Sequence, residues 1–116
     1  DHELLSLALG NKLRDSIDTQ IDRLLNDPNS DAFAQQFVSE WMSLDKFDVV
    51  EIDAKRFPNL TRDARKHLRR EPVEFFKHLL KSNAPVSDII SSEYLLANEV
   101  VANYYGLSDQ TESGFD

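Results

Sequence analysis

The stretch Thr61–Ser82, TRDARKHLRREPVEFFKHLLKS, decides the fold, because it is the longest run of helical periodicity in the chain. Thr61 is a suitable N-cap, since its hydroxyl can accept a hydrogen bond from the first turn. Pro72 lies inside the stretch and removes one backbone hydrogen bond. It predicts either a kink, which we favour, or a split with Pro72 in the first turn of a second helix. The apolar residues of the stretch share one helical face: Leu68, Phe75, Phe76 and Leu79.

Helical periodicity also dominates the residues before this stretch. A short helix over Glu3–Leu9 ends at Gly10, and a second helix begins with Asp15 as its cap and ends before Pro28. A third helix begins at Ser30 or Asp31. It presents the most strongly apolar face in the chain, which we place at the centre of the core: Phe33, Phe37, Trp41 and Leu44.

The remaining segments connect or complete these helices. Acidic residues interrupt the β-branched residues of Phe47–Lys55, which favours an extended connection with one irregular turn rather than a sheet. Pro85 begins a short helix through Ile89 and Ile90, and Asn98 caps a final helix over Glu99–Tyr105. We therefore predict an all-α fold, a single compact bundle of five or six helices with irregular connections and no significant sheet. We expect a helical domain over residues 1–107 and a polar tail or linker over 108–116.

Composition excludes several classes of function. The chain has 116 residues and a net charge of −8, which argues against nucleic acid as a partner, because phosphate binding needs a basic surface. It contains no Cys, so thiolate metal sites, a cysteine nucleophile and covalent haem attachment are excluded within this segment. No apolar run approaches the roughly 18–20 residues of a transmembrane helix. The absence of an initial Met and of a signal peptide suggests a segment of a longer protein.

Charge is unevenly distributed along the chain. Residues 61–83 hold seven basic and three acidic residues, a net charge of +4, whereas the rest holds six basic and eighteen acidic residues. The basic cluster could dock on acidic neighbours within the domain or could form an interaction surface for another domain of the same polypeptide. No aromatic residue is interleaved with it to stack bases, which argues against nucleic acid. Its members are Arg62, Arg65, Lys66, Arg69 and Arg70.

A polar stripe on the long helix is the best candidate for chemistry. His67, Glu71, Glu74 and His78 are separated by four, three and four residues, so they share one side of a helix. Imidazole and carboxylate groups are ligands of divalent metals and can act as acid and base. A stripe about 16 Å long cannot converge on one ion without another segment. The alternative is an ordinary polar flank with i,i+4 pairs.

Other candidate sites are weaker. The acidic segment Asp45–Asp53 has oxygen ligands at short spacing, but it lacks the glycine and the spacing of an EF-hand calcium loop. Tyr94, Tyr104 and Tyr105 could line a ligand pocket, or their rings could be buried at the domain edge. No phosphate-binding loop, dinucleotide fingerprint, nucleophile elbow or HExxH motif occurs.

An ordered set of short motifs resembles a family of planctomycete-type domains of unknown function, number 1592 in the unknown-function series. The motifs extend over about 105 residues: DHELL at 1–5, IDRLLNDP at 21–28, FVSEWMSL at 37–44, Phe57-Pro58, residues 68–80 around Glu71 and the pair Phe75-Phe76, YLLAN at 94–98, and YGL at 105–107. This resemblance implies an all-helical module of large exported proteins, often beside c-type cytochrome domains. It also implies one further helix before Asp1, so that a hydrophobic groove would be open in this chain.

Three hypotheses about function follow. The first is a non-catalytic structural or interaction module of a larger exported, periplasmic or cell-surface protein, whose partners are other domains of the same polypeptide. The second is part of an enzyme or a metal-binding unit that uses the polar stripe, although we expect no enzymatic activity from this domain alone. The third is a module that binds an extracellular ligand such as a glycan. We expect no cofactor in this segment, and any haem would belong to another domain.

Overall fold

A computed structural model of the chain describes residues 1–108 and Phe115. Within these residues it contains no strand, and its six α-helices are α1 (His2–Leu9), α2 (Ile17–Leu25), α3 (Asn29–Trp41), α4 (Leu44–Val49), α5 (Arg62–Ser82) and α6 (Glu99–Tyr105). Short 3₁₀ turns occupy Arg14–Ser16 and Val86–Ile89. The predicted all-α fold is therefore confirmed. None of the described helices is long and apolar enough to cross a membrane.

The chain divides into two units, residues 1–32 and residues 33–116. In the first unit, polar side chains tie α1 to α2. The Asp1 carboxylate caps α1 by accepting from the backbone of Glu3 at 2.9 Å, and it also accepts from Arg23 of α2. The buried amide of Gln20 donates to Glu3 at 2.8 Å, and Gln20 accepts from Arg23 at 2.9 Å. These bonds satisfy the polar atoms of Gln20, which would otherwise be costly to bury.

Two helix starts differ from the predictions. Asp15 does not cap α2, because it lies within the 3₁₀ turn, and Ser16 occupies the cap position without a side-chain hydrogen bond. The third helix begins at Asn29, slightly before the predicted start. There the side chain of Asp27 accepts from the backbone N–H of Asn29 at 2.8 Å, which satisfies a donor that a helix start leaves unpaired.

The second unit packs around α5, which contacts α4, α6 and the Val86–Ile89 turn. Two clusters of buried residues line its faces. The first consists of Val38, Leu44 and Val73, with Phe76 packed against it. The second consists of Ala97, Val101 and Ala102, with Leu68 and Phe115 packed against it.

Helix α5 follows its prediction closely. The Thr61 hydroxyl accepts from the backbone N–H of Ala64 at 3.1 Å, so the predicted N-cap is confirmed. The helix is one continuous element through Pro72, and the predicted alternative of a split is wrong. It ends at Asn83, which adopts the left-handed conformation with φ 50°. Asparagine tolerates this conformation better than most residues, so it can close a helix as glycine often does.

The segment after α3 corrects the prediction of an extended connection over Phe47–Lys55. Ser43 turns the chain with φ 52°, and α4 then extends to Val49, so that only the later part of the segment is non-helical. Leu44 is buried at the start of α4, and it packs in the first cluster. Burial of Leu44 favours the short helix α4. The β-branched residues Val49 and Val50 at its end favour extended structure instead.

The aromatic face of α3 also corrects a prediction. Phe33, Phe37 and Trp41 do not form the centre of the core, and the Trp41 side chain is 53% exposed. The buried residues of this helix in the second unit are Ala34 and Val38, both fully inaccessible to solvent. The helix therefore turns its small residues inward and leaves its largest residues at the surface.

The end of the chain is described in part. The predicted polar tail over residues 108–116 lies outside the described residues except for Ser108 and Phe115. Phe115 packs on the second cluster, and its ring lies 5.1 Å from the guanidinium carbon of Arg70. A cation over an aromatic ring at this distance is favourable. The domain limits proposed from the sequence stay a prediction.

Candidate functional site

The polar stripe of α5 begins at His67, which faces α6. The Nδ1 atom of His67 lies 2.6 Å from the amide Nδ2 of Asn98, and Oδ1 of the same Asn98 accepts from the backbone N–H of Val101 at 3.1 Å. Asn98 therefore caps α6, as predicted, and at the same time joins it to α5. Nε2 of His67 lies 3.9 Å from the Asp63 carboxylate on its other side. Both ring nitrogens of His67 thus have neighbours within the domain.

Glu71 also faces α6. The Tyr105 hydroxyl donates to Oε2 of Glu71 at 2.8 Å. Burial raises the pKa of the Glu71 carboxyl above its usual value, and the hydrogen bond from Tyr105 partly opposes this rise. Burial and the nearby carboxylate together raise the pKa of the Tyr105 phenol, since both disfavour the phenolate. The hydrogen bond between Tyr105 and Glu71 therefore connects α6 to α5.

Glu74 and His78 have partners of a different kind. The Glu74 carboxylate lies 3.0 Å from the ammonium of Lys77 and 3.5 Å from the guanidinium of Arg70, both on its own helix. The His78 ring meets the ring of Tyr94 edge to face at 5.7 Å between centroids. The four residues of the stripe therefore contact separate partners and do not converge on one point.

Within the described residues, no group of three or more His, Cys, Asp or Glu side chains could hold a metal ion. The stripe matches the polar-flank alternative only in part, because Glu74 pairs on its own helix whereas His67 and Glu71 reach Asn98 and Tyr105. Its metal-binding role stays a prediction, which a titration can test.

Two residues of the basic cluster dock on α4 within the domain. The Arg69 guanidinium donates to Asp48 at 2.8 Å and to Asp45 at 3.2 Å. The Arg65 guanidinium donates to the backbone carbonyl of Phe47 and lies 5.3 Å from the centre of its ring. Arg65 and Arg69 therefore dock on α4, as expected if the basic cluster contacts acidic neighbours within the domain. Asp45 and Asp48, which Arg69 contacts, belong to the acidic segment Asp45–Asp53.

The other basic side chains are arranged differently. Arg62 and Lys66 are exposed and line a surface depression beside Val49, Val50 and Glu51. Arg70 lies over the ring of Phe115 and near Glu74. A surface of this kind, which mixes cations with Glu51 and Asp48, is a poor site for a polyanion.

An aromatic ridge runs along α3. It consists of Phe33, Phe37 and Trp41, each one helical turn from the next, with neighbouring ring centroids 5.8 Å apart. Phe76 of α5 stacks on Phe37 at 5.1 Å, so the ridge rests on α5. Such ring pairs stabilise their own arrangement by about 0.5–1.5 kcal/mol beyond area burial. The ridge is ordered by these contacts although large parts of its rings face solvent.

An open groove continues from this ridge. Its cavity has a volume of about 360 Å³. Its described lining comes from the end of α3, from α5 and from the segment after α5: Val38, Trp41, Met42, Glu71, Pro72, Phe75, Phe76, Asp88, Ile89, Ile90, Ser92, Tyr94 and Leu95. Ile90 on its rim is 90% exposed. Aromatic and aliphatic side chains in a concave surface are typical of binding sites, whereas scattered exposed apolar residues are not.

Sequence periodicity found the members of the ridge but assigned them to the core. The signal that could have separated them is the pair of small residues on the neighbouring face, Ala34 and Val38, which are both buried, and Val38 packs with Val73 of α5. The link between Asn98 and His67 could not be found from the sequence, because 31 positions separate the two residues.

One family model matches the chain. Its description is PSD4, Protein of unknown function (DUF1592), and the match covers residues 1–107. The chain matches no curated protein and no solved structure.

Proposed function

The chain belongs to the PSD4 family of proteins of unknown function (DUF1592), and from its geometry we propose that it is a non-catalytic interaction module. The observation that carries this proposal is the aromatic ridge of Phe33, Phe37 and Trp41, which opens into the apolar groove between α3 and α5. The four residues of the polar stripe support it in a second way, since each of them has a partner within the domain.

The partner we propose is another part of the same polypeptide. Large apolar side chains are expensive to expose, and about 25 cal/mol is gained for each Å² removed from water. Contiguous exposed apolar surface marks sites where a protein binds a partner or a ligand. An interaction within one polypeptide would cover the ridge at a high effective concentration, so that modest affinity would suffice.

We extend the proposal to the setting of the module. We place it in a larger exported multidomain protein, and we propose c-type cytochrome domains among its neighbours. The support for this setting is the resemblance to the family, and the charge distribution and the groove are compatible with it. Cell fractionation of the source organism, followed by mass spectrometry of the parent polypeptide, tests the location.

Site-specific photo-crosslinking in the parent polypeptide tests the interaction. Benzoylphenylalanine replaces Trp41 on the ridge in one variant and the exposed Lys55 in a matched control variant. We expect cross-links from position 41 to a segment outside residues 1–116, and few from position 55. Equal yields from the two positions, or no cross-link from position 41, would overturn the proposal.

A further inference from the structure

We propose that the groove binds an amphipathic helix that carries a Lys or Arg within its apolar face, with the cation seated beside Glu71 and Asp88. This inference rests on the proposed function and specifies the chemistry of the partner. It has three supports: the charge of the groove, the aromatic faces within it, and the length of the aromatic ridge.

The charge of the groove has one sign. Glu71 and Asp88 line the cavity, and none of its described lining residues is Lys, Arg or His. Glu71 uses Oε2 to accept from Tyr105, which leaves Oε1 for another donor. The nearby cations of α5, Arg70 and Lys77, approach Glu74 instead. A cation of the partner would therefore supply the charge that the groove lacks.

The aromatic lining suits the same cation. Trp41, Phe75, Phe76 and Tyr94 all line the cavity, and Phe75 and Tyr94 lie 5.6 Å apart between ring centroids. The face of an aromatic ring attracts an ammonium or guanidinium group, and Trp does so most strongly. A carboxylate beside aromatic faces therefore favours a cationic side chain with an apolar stem over an anion or a neutral polar group.

The ridge has the dimensions of a helix-binding surface. Phe33, Phe37 and Trp41 are spaced by four residues each, which is a length of about 12 Å along α3. Phe33 on the ridge and Ile90 in the lining of the cavity are both exposed apolar residues. A small ligand in the cavity would leave these residues uncovered, whereas an amphipathic helix would bury them with residues at i, i+3, i+4 and i+7.

The net charge of the whole chain also favours a basic partner. The net charge is −8, so a basic segment is attracted before it docks. Any basic peptide would profit from this general attraction. The test therefore has to separate the groove from the overall charge.

Trp41 supplies the signal for this test, because it is the one Trp in the sequence. The probe is a synthetic amphipathic helix of Leu, Ala and Lys without Trp, with one Lys in the apolar face. The matched peptide has Glu at that position and is otherwise identical. We expect the Lys peptide to shift the Trp41 emission to shorter wavelength and to bind more tightly than the Glu peptide.

Three variants locate the binding site. Asp88→Asn removes one carboxylate from the groove, and Glu51→Gln removes one exposed carboxylate elsewhere, so the two variants have the same net charge. We expect Asp88→Asn to weaken binding of the Lys peptide by about two- to fivefold and Glu51→Gln to leave it nearly unchanged. Ile90→Ser should also weaken binding, and thermal melts should match the wild type because Ile90 is 90% exposed.

The outcomes separate this inference from the proposed function. Equal affinity for the Lys and Glu peptides, or equal effects of Asp88→Asn and Glu51→Gln, would overturn the inference. A lack of binding by either peptide would overturn it as well. In each of these cases a cross-link from position 41 to a segment of the parent polypeptide would still support the interaction module. A cross-linked segment without Lys or Arg would overturn the inference alone.

Discussion

Helix α5 has two sides that differ in how completely they are covered. Toward α6, polar side chains are paired one to one, His67 with Asn98 and Glu71 with Tyr105. Toward α3, aromatic rings stack on one another, but the ridge and the groove remain open. Two residues that the sequence marks as chemically interesting, His67 and Glu71, pair toward α6, although Glu71 also lines the groove. The aromatic residues on the open side are ones that the sequence marks as core. The comparison teaches that the residue type alone does not locate the functional surface.

The largest expected loss of stability comes from a substitution that disrupts the packing of α6 on α5. Val101 of α6 is fully buried, and Val101→Asp would place a charge there without a partner. We expect a loss of roughly 3–5 kcal/mol in the free energy of unfolding, the usual effect of an uncompensated buried charge. Urea denaturation followed by circular dichroism measures it. The matched control is Val86→Asp at a position that is largely exposed. Similar losses in both variants would contradict the assignment of α6 to the core.

A smaller effect is expected at the link between the helices. Asn98→Ala removes the cap of α6 and the neighbour of His67. The loss of the cap alone destabilises by about 1 kcal/mol, and we expect a total near 1–2 kcal/mol. Asn103→Ala, in the exposed middle of α6, is the control and should be neutral or slightly stabilising, because Ala favours helix. Equal stability of the two variants would show that Asn98 does not join the helices.

A smaller, pH-dependent change in the free energy of unfolding is expected from Glu71. Because its pKa is raised in the folded state, the stabilisation by its protonated form is complete below pH 4.5 and is lost as pH rises through the folded pKa. Glu71→Gln cannot titrate, so its stability relative to the wild type should increase with pH across that window.

Unfolding free energies between pH 4 and 7 measure this trend, and Glu51→Gln is the exposed control. A second measurement uses Tyr105→Phe, which removes the hydrogen bond that lowers the pKa of Glu71. NMR titration of the Glu71 carboxyl should then give a still higher pKa. A stability difference for Glu71→Gln that is constant or falls with pH would refute the burial of this carboxyl.

The smallest expected effect is the change in melting temperature on addition of a divalent metal ion. The four residues of the stripe contact separate partners, and within the described residues no group of three or more His, Cys, Asp or Glu side chains could hold a metal ion. We expect zinc or manganese to leave the melting temperature unchanged, in the wild type and in His78→Ala alike. A rise in melting temperature that His78→Ala abolishes would restore the metal-binding hypothesis for the stripe.

Much of the fold could be predicted from local signals. The caps at Thr61 and Asn98 are determined by neighbouring residues, and the structure has both. The errors occur where packing outweighs local preference. α4 forms because Leu44 is buried, and the α3 aromatics lie outside because Val38 is the residue that fits against Val73.

The candidate site could be predicted only in part, because it too depends on packing between residues far apart in the chain. The sequence identified the aromatic residues of α3 and α5, and the resemblance to the family implied an open hydrophobic groove. Which side of α3 faces solvent depends on contacts between residues far apart in the chain, such as Phe37 with Phe76. The third wall of the groove, around Ile90 and Tyr94, comes from the 3₁₀ turn at Val86–Ile89, where the sequence predicted a short helix, and from the connection that follows it.

Quenching of Trp41 fluorescence by acrylamide tests the central claim that this side of α5 is open and serves for binding. In the folded chain we expect quenching at a large fraction of the rate in urea, since the side chain is 53% exposed. Addition of the amphipathic Lys peptide should then protect Trp41 from acrylamide. A Trp41 that is inaccessible in the free chain, or that stays equally accessible when the peptide is saturating, would contradict the account.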